Sequence, residues 1–177
     1  MPLKVLNHKV VYSGKVFNTV VDEVEYESGN KTIREVAEHP GGAVVAPMLP
    51  DGRIIFVYQY RYPLNTHLYE LPAGKLEPGE PPEICAAREL EEEAGYVAGR
   101  LEKLTAIYTS PGFCTETLHI YLATDLKRGK QNLEEGELGL TLKYIDVKEA
   151  IRMVKTNEIV DAKSIAGLFF LKDTLSI

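Results

Sequence analysis

Gly74-Lys75-Leu76-Glu77-Pro78-Gly79-Glu80-Pro81-Pro82-Glu83-Ile84-Cys85-Ala86-Ala87-Arg88-Glu89-Leu90-Glu91-Glu92-Glu93-Ala94-Gly95-Tyr96 is the stretch on which the reading of this chain turns. Its prolines from Pro78 to Pro82 mark a loop entering a helix, because proline is tolerated in a helix's first turn. The helix is expected to run to about Ala94, with Gly95 as its C-terminal stop. Arg88, Glu89, Glu92 and Glu93 fall at i, i+1, i+4 and i+5. At about 100° per residue the three glutamates share one side of the helix, away from Ile84, Ala87, Leu90 and Ala94. The expectation is an apolar stripe packed on the core and a carboxylate face turned outward. Like charges one turn apart repel by roughly a few tenths of a kcal/mol, so that face needs a cation. Arg88 can pair with Glu92 at i, i+4, and a hard divalent ion such as Mg²⁺ suits the remaining carboxylate oxygens.

Before this stretch the chain reads as strands. Lys4–Tyr12 and Lys15–Glu25 alternate roughly and are broken by Ser13-Gly14, and Lys31–Glu38 alternates again after the turn at Glu27-Ser28-Gly29-Asn30. Gly41–Met48 and Arg53–Tyr60 are apolar runs joined by Pro50-Asp51-Gly52, which reads as a hairpin turn. After it, Leu101–Thr109, Thr117–Thr124 and Leu140–Asp146 are expected strands, and Lys127–Gly139 an exposed, acidic, flexible loop. Two helices are expected at Val147–Lys155 and Ala162–Lys172, the second capped by Asp161. Strands interspersed with and followed by helices point to an α+β layered domain.

The 177 residues argue for one domain, and 45% hydrophobic with 26% charged residues is the balance of a soluble protein with a core of its own. A net charge of -6 disfavours a nucleic-acid partner, so any phosphate must be met by placed arginines or bound cations. The two cysteines, Cys85 and Cys114, have no zinc-ligand spacing and read as reduced thiols. With no signal-peptide pattern and no run long enough to cross a membrane, the expected location is the cytoplasm.

The pattern Gly74, five residues, Glu80, seven residues, Arg88-Glu89-Leu90, one residue, Glu92-Glu93, one residue, Gly95-Tyr96 resembles the Nudix box at every specified position. Its softest point is Tyr96, where that family more often has an aliphatic residue. At ordinary residue usage such a match arises by chance on the order of 10⁻⁷ of the time. The resemblance implies the Nudix fold, a mixed β-sheet sandwiched between helices, here with an N-terminal antiparallel strand segment. It implies Mg²⁺ (or Mn²⁺) and hydrolysis of a nucleoside diphosphate linked to another group. On that pattern Glu89, Glu92 and Glu93 are metal ligands, joined by the carbonyl of Ala73, while Arg88 orients the glutamates.

The flanks resemble the ADP-ribose pyrophosphatase subgroup. They comprise Pro111, fifteen residues past the box, Gln59-Tyr60-Arg61-Tyr62-Pro63, Glu70-Leu71-Pro72-Ala73-Gly74, Arg34-Glu35-Val36 and Asp161-Ala162-Lys163-Ser164. This implies hydrolysis of ADP-ribose to AMP and ribose 5-phosphate, with GDP-mannose as the rival substrate and a non-catalytic nucleotide-binding module as the remote alternative. Arg34, Arg61, Glu70 and Glu116 become candidate substrate-binding residues. Phe17, with Tyr60, Tyr62 and Phe113, becomes a candidate to stack on the base. The general base is sought among Glu134, Glu135 and Glu137, with Glu135 and Glu137 fitting the pattern best and Glu116 as a further candidate. The subgroup also implies a homodimer, with residues 1–40 as the dimerisation segment of a single domain and 41–177 as the catalytic core.

Overall fold

Residues 43–46, Ala-Val-Val-Ala, and 54–57, Ile-Ile-Phe-Val, have no exposed surface. Runs this apolar belong to strands covered on both faces, whereas a half-exposed strand alternates with polar residues. The computed structural model of the protein describes residues 3–133 and 135–175. In chain order the elements are β1 (Lys4–Ser13), β2 (Asn18–Glu25), β3 (Lys31–Glu38), β4 (Gly42–Pro47), β5 (Arg53–Arg61), β6 (Thr66–Glu70), β7 (Ala73–Lys75), α1 (Pro82–Ala94), β8 (Tyr96–Val97), β9 (Arg100–Tyr108), β10 (Thr117–Thr124), β11 (Lys127–Arg128), β12 (Thr141–Asp146), α2 (Val147–Lys155) and α3 (Ala162–Thr174). They form two compact units, one made of the residues up to Gly41 with Tyr108–Thr117, the other of Gly42–Ile107 with the residues from Leu118 onward.

The first unit is the antiparallel sheet β1-β2-β3, with Asp22 opposite Arg34 in the β2–β3 register. The segment Ser110–Thr115 is fastened to β3. Ala37 N–H donates to the Phe113 carbonyl at 2.7 Å, and Thr115 N–H donates to the Ala37 carbonyl at 3.0 Å.

In the second unit the sheet β7-β4-β10-β9 is mixed, β4 running parallel to β10 and antiparallel to β7. Its side chains alternate between two apolar layers. Val44, Ala46, Ile120 and Leu122 pack with Val147, Met153, Leu168 and Leu171 of α2 and α3. Ala43, Val45, Tyr121 and Ala123 pack with Cys85, Ala86, Leu90 and Ala94 of α1. Burial on both faces is thus the consequence of helices on both sides of the sheet, the α+β arrangement expected.

The turn at Pro50-Asp51-Gly52 forms, with Gly52 N–H donating to the Leu49 carbonyl at 3.0 Å. It does not make the expected hairpin. Beyond a single bridge between Met48 and Ile54, β4 and β5 enter different sheets, because both edges of β4 are taken by β10 and β7. β5 instead pairs with β12 and β6. The short strands β6 and β7, not expected from the sequence, carry the chain back beneath the box. The segment Lys127–Gly139 is also less structureless than expected. Gly129 N–H donates to the Gly95 carbonyl, Asn132 N–H to the Glu92 carbonyl and Gln131 Nε2 to the Glu93 carbonyl, which ties the segment to the end of α1 before a 3₁₀ turn at Glu135–Glu137. Glu134 lies outside the described residues.

Asp146 caps α2, its carboxylate accepting from Lys148 N–H at 2.9 Å and Glu149 N–H at 3.4 Å. Asp146→Ala is therefore expected to cost ~1 kcal/mol and lower the Tm by about 2–4 °C. A calorimetric melt that does not move would show the cap to be dispensable.

Candidate active site

α1 ends where Gly95 adopts φ 69°, the left-handed conformation that glycine tolerates best. Its buried positions are Cys85, Ala86, Glu89, Leu90, Glu93 and Ala94. These are two adjacent i, i+4 rows, both turned toward the sheet. Two of the three box glutamates are therefore inside, with Glu89 7% and Glu93 2% exposed, and only Glu92 is partly open. The expected outward carboxylate face is corrected here, and so is Ile84, which is 57% exposed rather than packed. The small residues Ala86 and Ala94 let α1 approach the sheet closely enough to carry the neighbouring row under cover.

β7 is shaped to receive these acids. Ala73 N–H donates to Glu93 Oε2 at 3.0 Å. A Cβ on Gly74 would land inside the Glu89 carboxylate, so glycine is required for the chain to pass there. Burial pushes the Glu93 carboxyl up to about 8, against the Ala73 N–H and with help from the charges of Glu89 and Glu137. Burial also raises Glu89, opposed mainly by Arg88. Glu137 thus lies near enough for its charge to act on both buried acids.

Arg88 supplies the positive charge. Its Nη1 donates to Glu89 Oε1 at 2.7 Å and to Glu92 Oε2 at 2.9 Å. Its Nε donates to Glu80 Oε1 at 2.9 Å and its Nη2 to the Lys75 carbonyl at 3.2 Å. Its pKa is raised, by the Glu80 bond first. Glu80, the Arg88 partner eight residues away, was not among the expected site residues, although it is a fixed position of the pattern.

A second polar cluster sits beside the first. Arg61 Nε and Nη2 donate to the two oxygens of Glu70, each at 2.7 Å, and Lys163 Nζ donates to Glu70 Oε2. Glu70 is 1% exposed, whereas the Arg61 side chain is 42% exposed. Burial pushes the Glu70 carboxyl up, but its two cationic partners outweigh it and hold it below the ordinary carboxylate range. Lys163 also pairs with Asp161 at 3.0 Å.

Three expected residues belong to the first unit. Arg34 donates to the Tyr26 hydroxyl at 2.5 Å, Phe17 is half-exposed and leans on Tyr12 with ring centroids 6.3 Å apart, and Glu116 lies 3.4 Å from His39 Nδ1.

Residues 38–168 match the family model described as the NUDIX domain. The chain belongs to the Nudix family. Among relatives of this Nudix protein is an ADP-ribose pyrophosphatase from Bacillus subtilis (strain 168), 41% identical over 96% of this chain and 92% of its own. A methanol dehydrogenase activator from Bacillus methanolicus is 38% identical over the same shares. A solved structure, that of an ADP compounds hydrolase, superposes with a TM-score of 0.88 over 99% of this chain and 95% of its own at 21% identity, a likeness in fold.

Nudix hydrolases act with divalent metal ions, and the donors here suit one. Among the described residues no three acids stand as a ready-made cage. The oxygens are nevertheless hard donors of the kind Mg²⁺ and Mn²⁺ take. Two of the acids are buried side by side, where ionisation is costly without a cation, and the glycine of β7 keeps the backbone close to them.

The raised Glu93 pKa gives a signed prediction for protein held in chelator. Between about 4.5, its ordinary value, and about 8 the folded chain keeps a proton that the unfolded chain has lost, so stability falls as pH rises through that window. Melts from pH 5 to 8 should show the decline, and Glu93→Gln should flatten it. An unchanged slope in the variant would assign the decline to other groups.

Proposed function

We propose that this hydrolase cleaves the pyrophosphate of ADP-ribose, adding water to give AMP and ribose 5-phosphate, with Mg²⁺ held by Glu89, Glu92, Glu93 and the Ala73 carbonyl. The observation that carries the substrate is the near end-to-end likeness to the Bacillus subtilis ADP-ribose pyrophosphatase. Mg²⁺ bound to such oxygens polarises the phosphoryl group and lowers the pKa of an attacking water. The protein's own groups do the rest. Arg88, anchored by Glu80, fixes the carboxylates of Glu89 and Glu92 so that they need not reorganise during the reaction. Arg61, gripped by Glu70 but partly open to solvent, presents guanidinium donors to a phosphate or ribose oxygen. Of the two loop glutamates, Glu137 is the better general base. Its charge adds to the rise of both Glu89 and Glu93, and Glu135 precedes it in the same 3₁₀ turn.

Binding roles for Arg34, Phe17 and Glu116 rest on the resemblance of their segments to the subgroup. So does a homodimer, to which the exposed apolar residues Val5, Val10, Tyr12 and Ile33 lend support. The cytoplasmic location belongs to the proposal too. Among the described residues no helix is long and apolar enough to cross a membrane.

Initial rates on ADP-ribose and GDP-mannose with Mg²⁺, for wild type and Glu92→Gln, test the proposal. ADP-ribose should be the faster substrate, and the variant should lose about 100-fold or more, beyond what loss of an outer-sphere group costs. Preference for GDP-mannose would overturn the substrate and keep the chemistry. No turnover of either with Mg²⁺ or Mn²⁺ would favour a nucleotide-binding module.

A further inference from the structure

Ser164 lies on α3, outside the box, and its hydroxyl bonds Asp161 and Leu71 rather than a box glutamate. The residue is fully buried. Its Oγ donates to Asp161 Oδ2 at 2.6 Å and accepts the Leu71 N–H at 2.7 Å. The first bond fixes where the hydroxyl proton points, and so turns an oxygen lone pair toward Leu71. Asp161 is held in turn, accepting the Ser164 N–H at 3.0 Å as the cap of α3 and pairing with Lys163.

The receiving segment, Leu71-Pro72-Ala73, is tethered residue by residue. Leu71 N–H is taken by Ser164, the Pro72 carbonyl accepts the Val45 N–H at 2.9 Å, and Ala73 N–H holds the Glu93 carboxylate. A second, independent feature of α3 acts at the same place. Gly167 is one turn on from Ser164, and a Cβ there would come within 2.7 Å of Leu71 Cδ1 and 3.5 Å of Ile120 Cγ2. One face of α3 therefore bonds the Leu71 backbone through Ser164 and makes room for the Leu71 side chain through Gly167. The helix is seated on Leu71 at a spacing where a Cβ at 167 would displace the Leu71 side chain.

We propose that Ser164, with Gly167, is a positioning residue of the active site: α3 sets the place of Leu71–Ala73, and through the Ala73 N–H sets the Glu93 carboxylate for the metal. The inference rests on the reading of Glu93 and Ala73 as part of the metal site. It does not rest on the identity of the nucleotide. Removing the hydroxyl leaves the Leu71 N–H buried and unpaired, and the strain of an unmet donor is relieved by a shift of the chain that carries Ala73.

The test is Mn²⁺ affinity of the chelator-stripped protein, read as the free-ion electron paramagnetic resonance signal without substrate. Ser164→Ala should bind Mn²⁺ about tenfold more weakly, the scale of a lost supporting contact. The Mg²⁺ concentration for half-maximal hydrolysis should rise by the same factor, with KM at saturating metal within about twofold of wild type on that scale. Gly167→Ala leaves every hydrogen bond in place but presses on Leu71, and should show the same defect. It carries the test if Ser164→Ala does not fold. Val20→Ala, which opens the buried packing of the first unit, is the control and should lose Tm without losing Mn²⁺ affinity. Variants that bind Mn²⁺ like wild type, or a control that weakens as much as they do, overturn the positioning role. A wild type that binds no Mn²⁺ overturns the metal-site reading and this inference with it. A wild type that binds Mn²⁺ but ignores ADP-ribose overturns the substrate alone.

Discussion

Glu93 takes a carboxylate into the interior of the second unit, and one backbone N–H, that of Ala73, meets it there. Burying a charge without a partner is among the costliest things a fold can do. The rest of the unit is arranged around that cost. α1 must lie close to the sheet, so the row beside Glu89 and Glu93 is filled with Ala86, Leu90 and Ala94. β7 must run directly under the acids, so Gly74 has no side chain. The carboxylates must not drive α1 away, so Arg88 joins Glu89 to Glu92 and is itself held by Glu80. What results is a cluster of well-fixed carboxyl oxygens whose ionisation is opposed until a cation joins them, a poor arrangement for stability and a good one for gripping a divalent cation.

The second cluster answers the first from the other side of the same loop. Glu70 and Ala73 are three residues apart, one bound to Arg61 and Lys163, the other to Glu93. The segment between them is fastened to α3 at Leu71 and to β4 at Pro72. Two helices that never share a residue with one another's motif are thus mechanically joined through a three-residue strap. The charge of Lys163 also offsets part of the rise in Glu93. The C-terminal helix is therefore part of the active-site construction as well as a cover for the apolar layer.

Much of this was legible in the sequence, and the failures are instructive. The spacing from Gly74 to Tyr96 predicts α1, its Gly95 stop and the Arg88–Glu92 pair, all of which form. Asp161 caps α3 as expected, because a cap is a local bond between near neighbours. The burial of Glu89 and Glu93 was not legible. A helical wheel ranks faces by hydropathy, and glutamate is ranked outside unless its partner is known. That partner, the Ala73 N–H, is twenty residues away. The divergence of β4 and β5 was hidden for the same reason, since the turn at Pro50-Asp51-Gly52 is local but the strand that claims β4 begins at Thr117. Ser164 and Lys163 were visible only as part of a resembling tail, because their contacts on Leu71 and Glu70 cross most of the chain.

Anomalous diffraction from crystals grown with Mn²⁺ tests the central claim most directly. The account predicts a manganese peak bound by Glu93 and Glu89, with Glu92 and the Ala73 carbonyl completing the protein's share and the Ser164–Leu71 bond intact. A manganese peak elsewhere, or none at these oxygens at millimolar Mn²⁺, would contradict it and leave the buried carboxylates without their reason for being there.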